Sequence, residues 1–415
     1  MSSLSKDKLR GALKKLRWPK THSSNSTDEP RVDQSLGPPA TAAQTLSSFS
    51  ASPYSSSATT SDSSSSNSSL NITKNDLTTV GAEAKKYPKL HQALSELPAD
   101  IKGDIQLGRR IYNGDYSAVW RAEWKSSSEN DIQEVVLKVW QTGRTDEDHY
   151  VVALRRMVRE VQTWRVLNHP HIMPLLGWKL RASGGYWEGP CIVTQFCPRG
   201  DLATHIKVNG LPATRYLFRW LDEIGRAVLY LHTLPSPVVH GDISAANVML
   251  EENQSHKVIA LLSDFGAARV ASVCKTGTSS AGIFRGTEGY KAVEVYNHMY
   301  QMDKGHFSMI PASDVYAFGS LMLHVLSGLA PFYKLSNVPA IETKVRDGQT
   351  SPKQDHPRIP SDATIWGLME KCWQTDPTKR PTIREVLKEL ESERLRYESN
   401  LGSYRKVSEI PPIST

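Results

Sequence analysis

Cysteine is scarce in this chain of 415 residues: Cys191, Cys197, Cys274 and Cys372 are the whole complement, and no two of them stand in a CxxC pair. That excludes a disulfide scaffold and fits a reducing compartment. Long apolar runs are missing as well. No stretch approaches the roughly 18–20 uninterrupted apolar residues of a membrane span, and the N-terminus is basic and amphipathic instead of carrying the apolar centre of a secretory signal. An intracellular, cytoplasmic protein is expected, with the nucleus or a membrane surface open to it through that N-terminus. Acidic residues are almost absent from the first twenty positions, where Lys6, Lys8, Arg10, Lys14, Lys15, Arg17 and Lys20 face Asp7 alone, giving 7 − 1 = +6 of the formal +7. The rest of the chain is left at +7 − 6 = +1. A basic surface spanning a folded domain is therefore excluded, and no nucleic-acid partner is expected.

What is present divides the chain. Within residues 1–20, Leu9, Ala12, Leu13 and Leu16 fall at helical spacing among the cations, and Pro19 would stop a helix. Residues 5–20 suit an anionic membrane surface, where each Lys or Arg contributes about 1 kcal/mol. They suit an acidic partner or nuclear import equally, and a merely solvated tail as well. Residues 21–95 read as a linker rich in Ser, Thr, Pro and Asn, and the run Ser55–Ser69 has almost no large apolar side chain with which to offset ordering entropy. From Ile105 the pattern alternates with period two, through Val119–Trp124 and again through Val135–Trp140, as strands do. Helical spacing then dominates in Val151–Leu167, Arg215–His232, Ser313–Leu326, Thr364–Trp373 and Thr382–Tyr397. The expectation is a small β-rich lobe over 104–196 with one long helix, a larger helical lobe over 197–397, and a tail over 398–415, an α+β architecture with no internal repeat.

One ordered set of motifs carries chemistry. Phosphoryl transfer asks for a phosphate clamp, metal ligands and a base that orients the acceptor hydroxyl. Lys138 closes the strand Val135-Val136-Leu137-Lys138, and Glu160 lies on the first long helix, nine residues before the His169-Pro170-His171-Ile172 turn. His240-Gly241-Asp242-Ile243-Ser244-Ala245-Ala246-Asn247 follows the next long helix, and Ser263-Asp264-Phe265-Gly266 comes after it. Each string alone is commonplace. Lysine, helix glutamate, Asp-x4-Asn and Asp-Phe-Gly in this order and at these intervals are specific.

Over residues 104–397 the chain resembles eukaryotic protein kinases, in the tyrosine-kinase-like branch and the style of its expanded fungal families. The resemblance implies the two-lobed protein-kinase fold, ATP and Mg2+ as cofactors, and a protein side-chain hydroxyl as acceptor. It makes Lys138 the clamp on the phosphates, Glu160 its orienting partner, Asp242 the catalytic base, and Asn247 and Asp264 the metal ligands. Val119 and Val136 would roof the adenine pocket and Met249 would floor it. Ile192-Val193-Thr194-Gln195-Phe196-Cys197 would be the hinge, with Thr194 beside the adenine and Gln195 and Cys197 following it. Gly286-Thr287-Glu288-Gly289-Tyr290-Lys291-Ala292-Val293-Glu294 resembles the substrate-docking loop, its closing glutamate expected to pair with Arg380. Asp314, in Ser313-Asp314-Val315-Tyr316-Ala317-Phe318-Gly319, is expected to anchor the catalytic loop.

Departures from the family pattern are equally definite, and they keep open the alternative of a pseudokinase scaffold or nucleotide-binding module with a degenerate Gly-rich loop. The phosphate loop, registered on Val119, has Tyr112, Gly114 and Ser117 where the family has three glycines, so only the middle one is kept and the clamp should be reshaped. Gly241 stands where most relatives carry an arginine that reads a phosphorylated activation loop; Arg269 and Arg285 are the possible substitutes. Ser244 and Ala246 replace the cations that separate serine/threonine from tyrosine kinases. Thr287 and the lack of a Pro-x-x-Trp run in the docking loop tilt the expectation to serine/threonine.

Overall fold

The computed structural model describes residues 87–98, 100–114, 117–126, 132–140, 147–180, 189–253, 255–270, 286–300 and 309–399. The basic segment 1–20, the Ser-rich stretch to residue 86, Cys274, Arg285 and the tail beyond Ser399 lie outside the described residues. One expectation is corrected within them. The linker expected to run to residue 95 ends earlier, because Pro88–Ser95 form helix α1. Pro88 occupies the first turn, where its missing N–H costs nothing. Leu90, Ala93 and Leu97 share one buried stripe at i, i+3 and i+7.

The small lobe is a five-stranded antiparallel sheet of β1 (Asp104–Asn113), β2 (Ser117–Lys125), β3 (Ile132–Trp140), β4 (Leu175–Lys179) and β5 (Cys191–Gln195), in the order β1-β2-β3-β5-β4. Period two sorts its side chains onto opposite faces. Val135, Leu137, Val139, Cys191 and Val193 form a core on one face with Ile101, Ile105 and Ala122. The register Val119↔Lys138, Val136↔Thr194 and Tyr112↔Val119 puts the expected nucleotide-binding residues together on the other. Helix α2 (Glu147–Trp164) packs between this sheet and the turn Phe265–Ala267.

The larger lobe comprises α3 (Leu202–Asn209), α4 (Thr214–Thr233), the short strand β6 (Val238–Val239), the hairpin β7 (Val248–Glu252) and β8 (Val258–Leu262), β9 (Arg269–Val270), α5 (Val293–Tyr300), α6 (Pro311–Ser327), α7 (Val338–Arg346), α8 (Ile365–Cys372) and α9 (Ile383–Ser399). Every residue of α6 from Ser313 to Ser327 is buried, as expected of a helix that is the centre of its lobe and not its surface. Gly328 ends α6 at φ 81°, a left-handed cap that glycine adopts without strain. No helix among the described residues is long and apolar enough to cross a membrane.

Candidate active site

Residues far apart in sequence meet in the cleft between the lobes. Lys138 Nζ donates to Glu160 Oε1 at 3.0 Å and Oε2 at 3.3 Å, and to Asp264 Oδ1 at 2.6 Å. Burial alone would lower the Lys138 pKa, but the Asp264 and Glu160 carboxylates outweigh it and raise the pKa, so Lys138 is a fixed cation. Burial would likewise raise the Asp264 pKa. The Lys138 ammonium, its hydrogen bond and the Gly266 N–H hold it below the usual carboxylate range. Asp264 sits at φ 61°, in a left-handed region that Asp tolerates better than most side chains, and this turns its carboxylate toward Lys138. Space beside it is tight: a Cβ on Gly266 would lie 3.0 Å from Glu160 Oε2, 3.1 Å from Asp264 Oδ1 and 3.3 Å from Lys138 Nζ, so each would have to give by a few tenths of an ångström.

The catalytic loop is held from below. Asp314, buried at the start of α6, accepts from the backbone N–H groups of His240 and Gly241 at 2.8 Å each and lies 2.9 Å from His232 Nε2. Its charge is thus buried with its partners in place, the condition under which a buried carboxylate is tolerated. His240 Nδ1 accepts from Asp242 N at 3.3 Å, which leaves the proton on Nε2 to donate to Ser263 O at 3.1 Å. The His240 ring packs edge-on against Phe265 at 4.9 Å, and Phe265 lies 5.1 Å from the ring of Trp164 at the end of α2. Aromatic contact therefore ties α2 to the loop that carries Asp242. Neither Trp164 nor Phe265 is among the expected site residues; Phe265 is signalled by its place in the Asp-Phe-Gly string, Trp164 only by its position one helical turn after Glu160.

Asp242 Oδ1 accepts from both the N–H and the hydroxyl of Thr287, at 2.9 and 3.1 Å. Its Oδ2 has no partner among the described residues. Asn247 Nδ2 donates to Asp242 O at 2.8 Å, which turns the amide oxygen of Asn247 outward. The docking loop closes as expected on Arg380, whose Nη1 and Nη2 grip Glu294 Oε1 and Oε2 at 2.7 and 2.8 Å in a bidentate pair. Within that loop Lys291, buried, pairs with Glu288, which also accepts from the Tyr296 hydroxyl. Nothing in the sequence pattern signals that pair.

The residues expected to face a nucleotide are partly exposed. Val119, Val136, Thr194, Gln195 and Met249 are all half-buried, whereas their neighbours Ala118, Val135, Leu137 and Leu250 are closed off. Met249 pairs with Leu261 in the β7–β8 hairpin and bridges to Asp201. Cys197 is buried, and burial together with the neighbouring Glu251 carboxylate pushes its thiol pKa up, so it stays protonated. In the reshaped phosphate loop Gly114 N donates to Ser117 O at 3.0 Å, and the Tyr112 ring lies so close that a Cβ on Gly114 would meet it at 2.8 Å. Ser117 is buried and Tyr112 is 61% exposed.

One departure acquires a physical reason. Gly241 adopts φ 79°, a backbone conformation that strains any residue with a Cβ, and a Cβ there would also push the flexible end of Met309, 2.5 Å away, and crowd Ala267 O at 3.2 Å. Arg269 lies on β9 beside β6, and its charge with those of Arg156 and Arg155, after burial, pushes Arg159 down to about 10. Ser244 is fully buried and its hydroxyl has no hydrogen-bond partner among the described residues.

Among the described residues no cluster of three or more His, Cys, Asp or Glu could hold a metal ion unaided. The free oxygens of Asp264 and Asn247 are hard donors of the kind that bind a divalent cation jointly with phosphate oxygens.

Comparison with known proteins agrees with this geometry. Residues 105–390 match the model of the protein tyrosine and serine/threonine kinase family. The serine/threonine-protein kinase STY46 of Arabidopsis thaliana is 27% identical over 290 residues, covering 69% of this chain and 44% of the relative. STY17 of the same plant is 26% identical over 316 residues, 74% of this chain and 49% of its own length. Mitogen-activated protein kinase kinase kinase 10 of Mus musculus is 28% identical over 305 residues, 71% and 29% respectively. The chain thus spans less than half the length of these relatives. With its family model matched over most of its length and the family's motifs assembled in one cleft, the chain belongs to the protein tyrosine and serine/threonine kinase family.

Proposed function

We propose that the protein transfers the γ-phosphoryl group of ATP to serine or threonine hydroxyls of a protein substrate. The carrying observation is the convergence of Lys138, Glu160 and Asp264 through hydrogen bonds of 2.6–3.3 Å on one wall of the cleft. In this reading Glu160 aims Lys138 at the phosphates, and the half-buried Val119, Val136 and Met249 sandwich the adenine beside Thr194, Gln195 and Cys197. Tyr112, Gly114 and Ser117 cover the phosphates, with the tyrosine ring taking space that glycines leave open. Asp264 and Asn247 would hold Mg2+, which when bound neutralises charge on the phosphates. Asp242 Oδ2 orients the acceptor hydroxyl and takes its proton, while Thr287 fixes the other oxygen of the same carboxylate. Thr287, and relatives named as serine/threonine kinases, support serine or threonine as acceptor.

The test uses purified full-length protein with labelled ATP, Mg2+ and a degenerate peptide library. Transfer to Ser/Thr peptides is expected, and Asp242→Asn should abolish it while retaining nucleotide binding. Equal residual phosphorylation by wild type and Asp242→Asn would refute the enzyme reading, and a product that is mainly phosphotyrosine would refute the acceptor assignment.

A further inference from the structure

Helix α1 lies ahead of the family-matched region, yet it is built into the small lobe. An isolated helix of eight residues is unstable in water, and α1 has no side-chain N-cap, so packing must hold it. Leu90 is fully buried, Ala93 and Leu97 nearly so, and α1 packs on α2. At its start the Arg155 guanidinium of α2 lies over the Tyr87 ring at 5.2 Å. At its end the chain is stitched to the sheet. Trp178 Nε1 donates to Pro98 O at 3.1 Å, Ile101 N donates to Trp178 O at 3.2 Å, Trp124 Nε1 donates to Lys102 O at 3.0 Å and Lys179 Nζ donates to Gly103 O at 2.9 Å. Gly177 leaves room for Ile101, whose Cβ lies 2.7 Å from where a Cβ on Gly177 would stand.

The geometry has a direction. The sheet carries Lys138, and α2 carries Glu160. Arg155 and Glu160 are five residues apart, about 140° around a helix that turns about 100° per residue. Tyr87 therefore contacts α2 on a side turned away from Glu160, and segment 87–103 joins the back of α2 to the same sheet that holds the lysine. We infer that α1 is a brace that fixes α2 against the sheet and so positions Glu160 on Lys138, with Tyr87 and Leu90 as positioning residues. The inference rests on the proposed kinase activity for its catalytic consequence and on packing alone for its structural one.

Both can be measured on the full chain. Leu90→Asp, which places a carboxylate in the sealed contact, is compared with Leu90→Met and with Tyr87→Ala, a milder change at a partly exposed site. Hydrogen exchange of the α2 amides is followed without nucleotide, and kcat and KM for ATP are measured at a temperature where each variant is fully folded. The brace predicts faster exchange through residues 150–164 in Leu90→Asp, with kcat/KM for ATP down at least tenfold. Leu90→Met should lie within twofold of wild type, and Tyr87→Ala should shift in the same direction by about threefold. Unchanged α2 exchange in both Leu90→Asp and Tyr87→Ala overturns the inference, as does normal kcat/KM in folded Leu90→Asp. A wild type that phosphorylates nothing, with α2 exchange still dependent on Leu90, would sink the kinase reading and leave the brace standing.

Discussion

Two buried histidines make the stability of the larger lobe dependent on pH in a calculable way. His324 Nδ1 lies 2.6 Å from the Tyr290 hydroxyl of the docking loop, and His356 bridges Ser351 and Ser327 at 2.9 Å each. Burial pushes both imidazoles down to about 4 from 6.5. The folded state therefore keeps them neutral at a pH where the unfolded chain protonates them. The unfolded state binds more protons between pH 6.5 and 4, so stability is full above about 6.5 and falls as pH drops toward 4. Each histidine adds a slope of at most about 1.4 kcal/mol per pH unit, or about 3 kcal/mol across the window. Two such terms, less what their mutual proximity removes, are a large part of the 5–15 kcal/mol typical of a domain. Protonation would also strip His324 of the lone pair that faces Tyr290, loosening the loop that holds Thr287 against Asp242. The assay is urea unfolding at half-unit steps from pH 7 to pH 4, for wild type and for His324→Gln/His356→Gln. The double variant is less stable at pH 7 but should show a shallower slope by at least about 1 kcal/mol per pH unit near pH 5.5. Equal slopes in the two proteins would refute the reasoning, because carboxylates elsewhere would then account for the whole acid dependence.

Gly266→Ala crowds Glu160, Asp264 and Lys138 with a Cβ at 3.0–3.3 Å; kcat/KM for ATP should fall about tenfold, the equivalent of about 1.4 kcal/mol in barrier, and steady-state kinetics checks it. Gly241→Arg introduces the residue that the kinase resemblance leads one to expect but forces a side chain into φ 79° against Met309. Stability should drop by about 1–3 kcal/mol in urea titration with no gain in kcat, and a stable, faster variant would contradict the packing argument. Arg380→Lys keeps the charge and loses the fork on Glu294 and the bonds to Ala312 O and Gln374 O. A loss of about 2–4 kcal/mol in unfolding free energy is expected.

Local pattern determined the two lobes, the long helix with Glu160 and the order of the catalytic strings, because strand alternation, helical spacing and short loop motifs are written in neighbouring residues. The same holds for the missing glycines at 112 and 117. Tertiary structure decided what depends on residues distant in sequence. It set Lys138 on both Glu160 and Asp264, gave Asp314 three donors from other elements, and placed Thr287 on Asp242. Gly241 could be seen as a departure from sequence, but its reason lay in Met309 and in a left-handed backbone. Helix α1 was illegible for a related cause: eight residues after a Ser-rich stretch have too little intrinsic helix stability to declare themselves. Only α2, a helix that begins more than 50 residues further on, is placed to give its apolar stripe something to bury against.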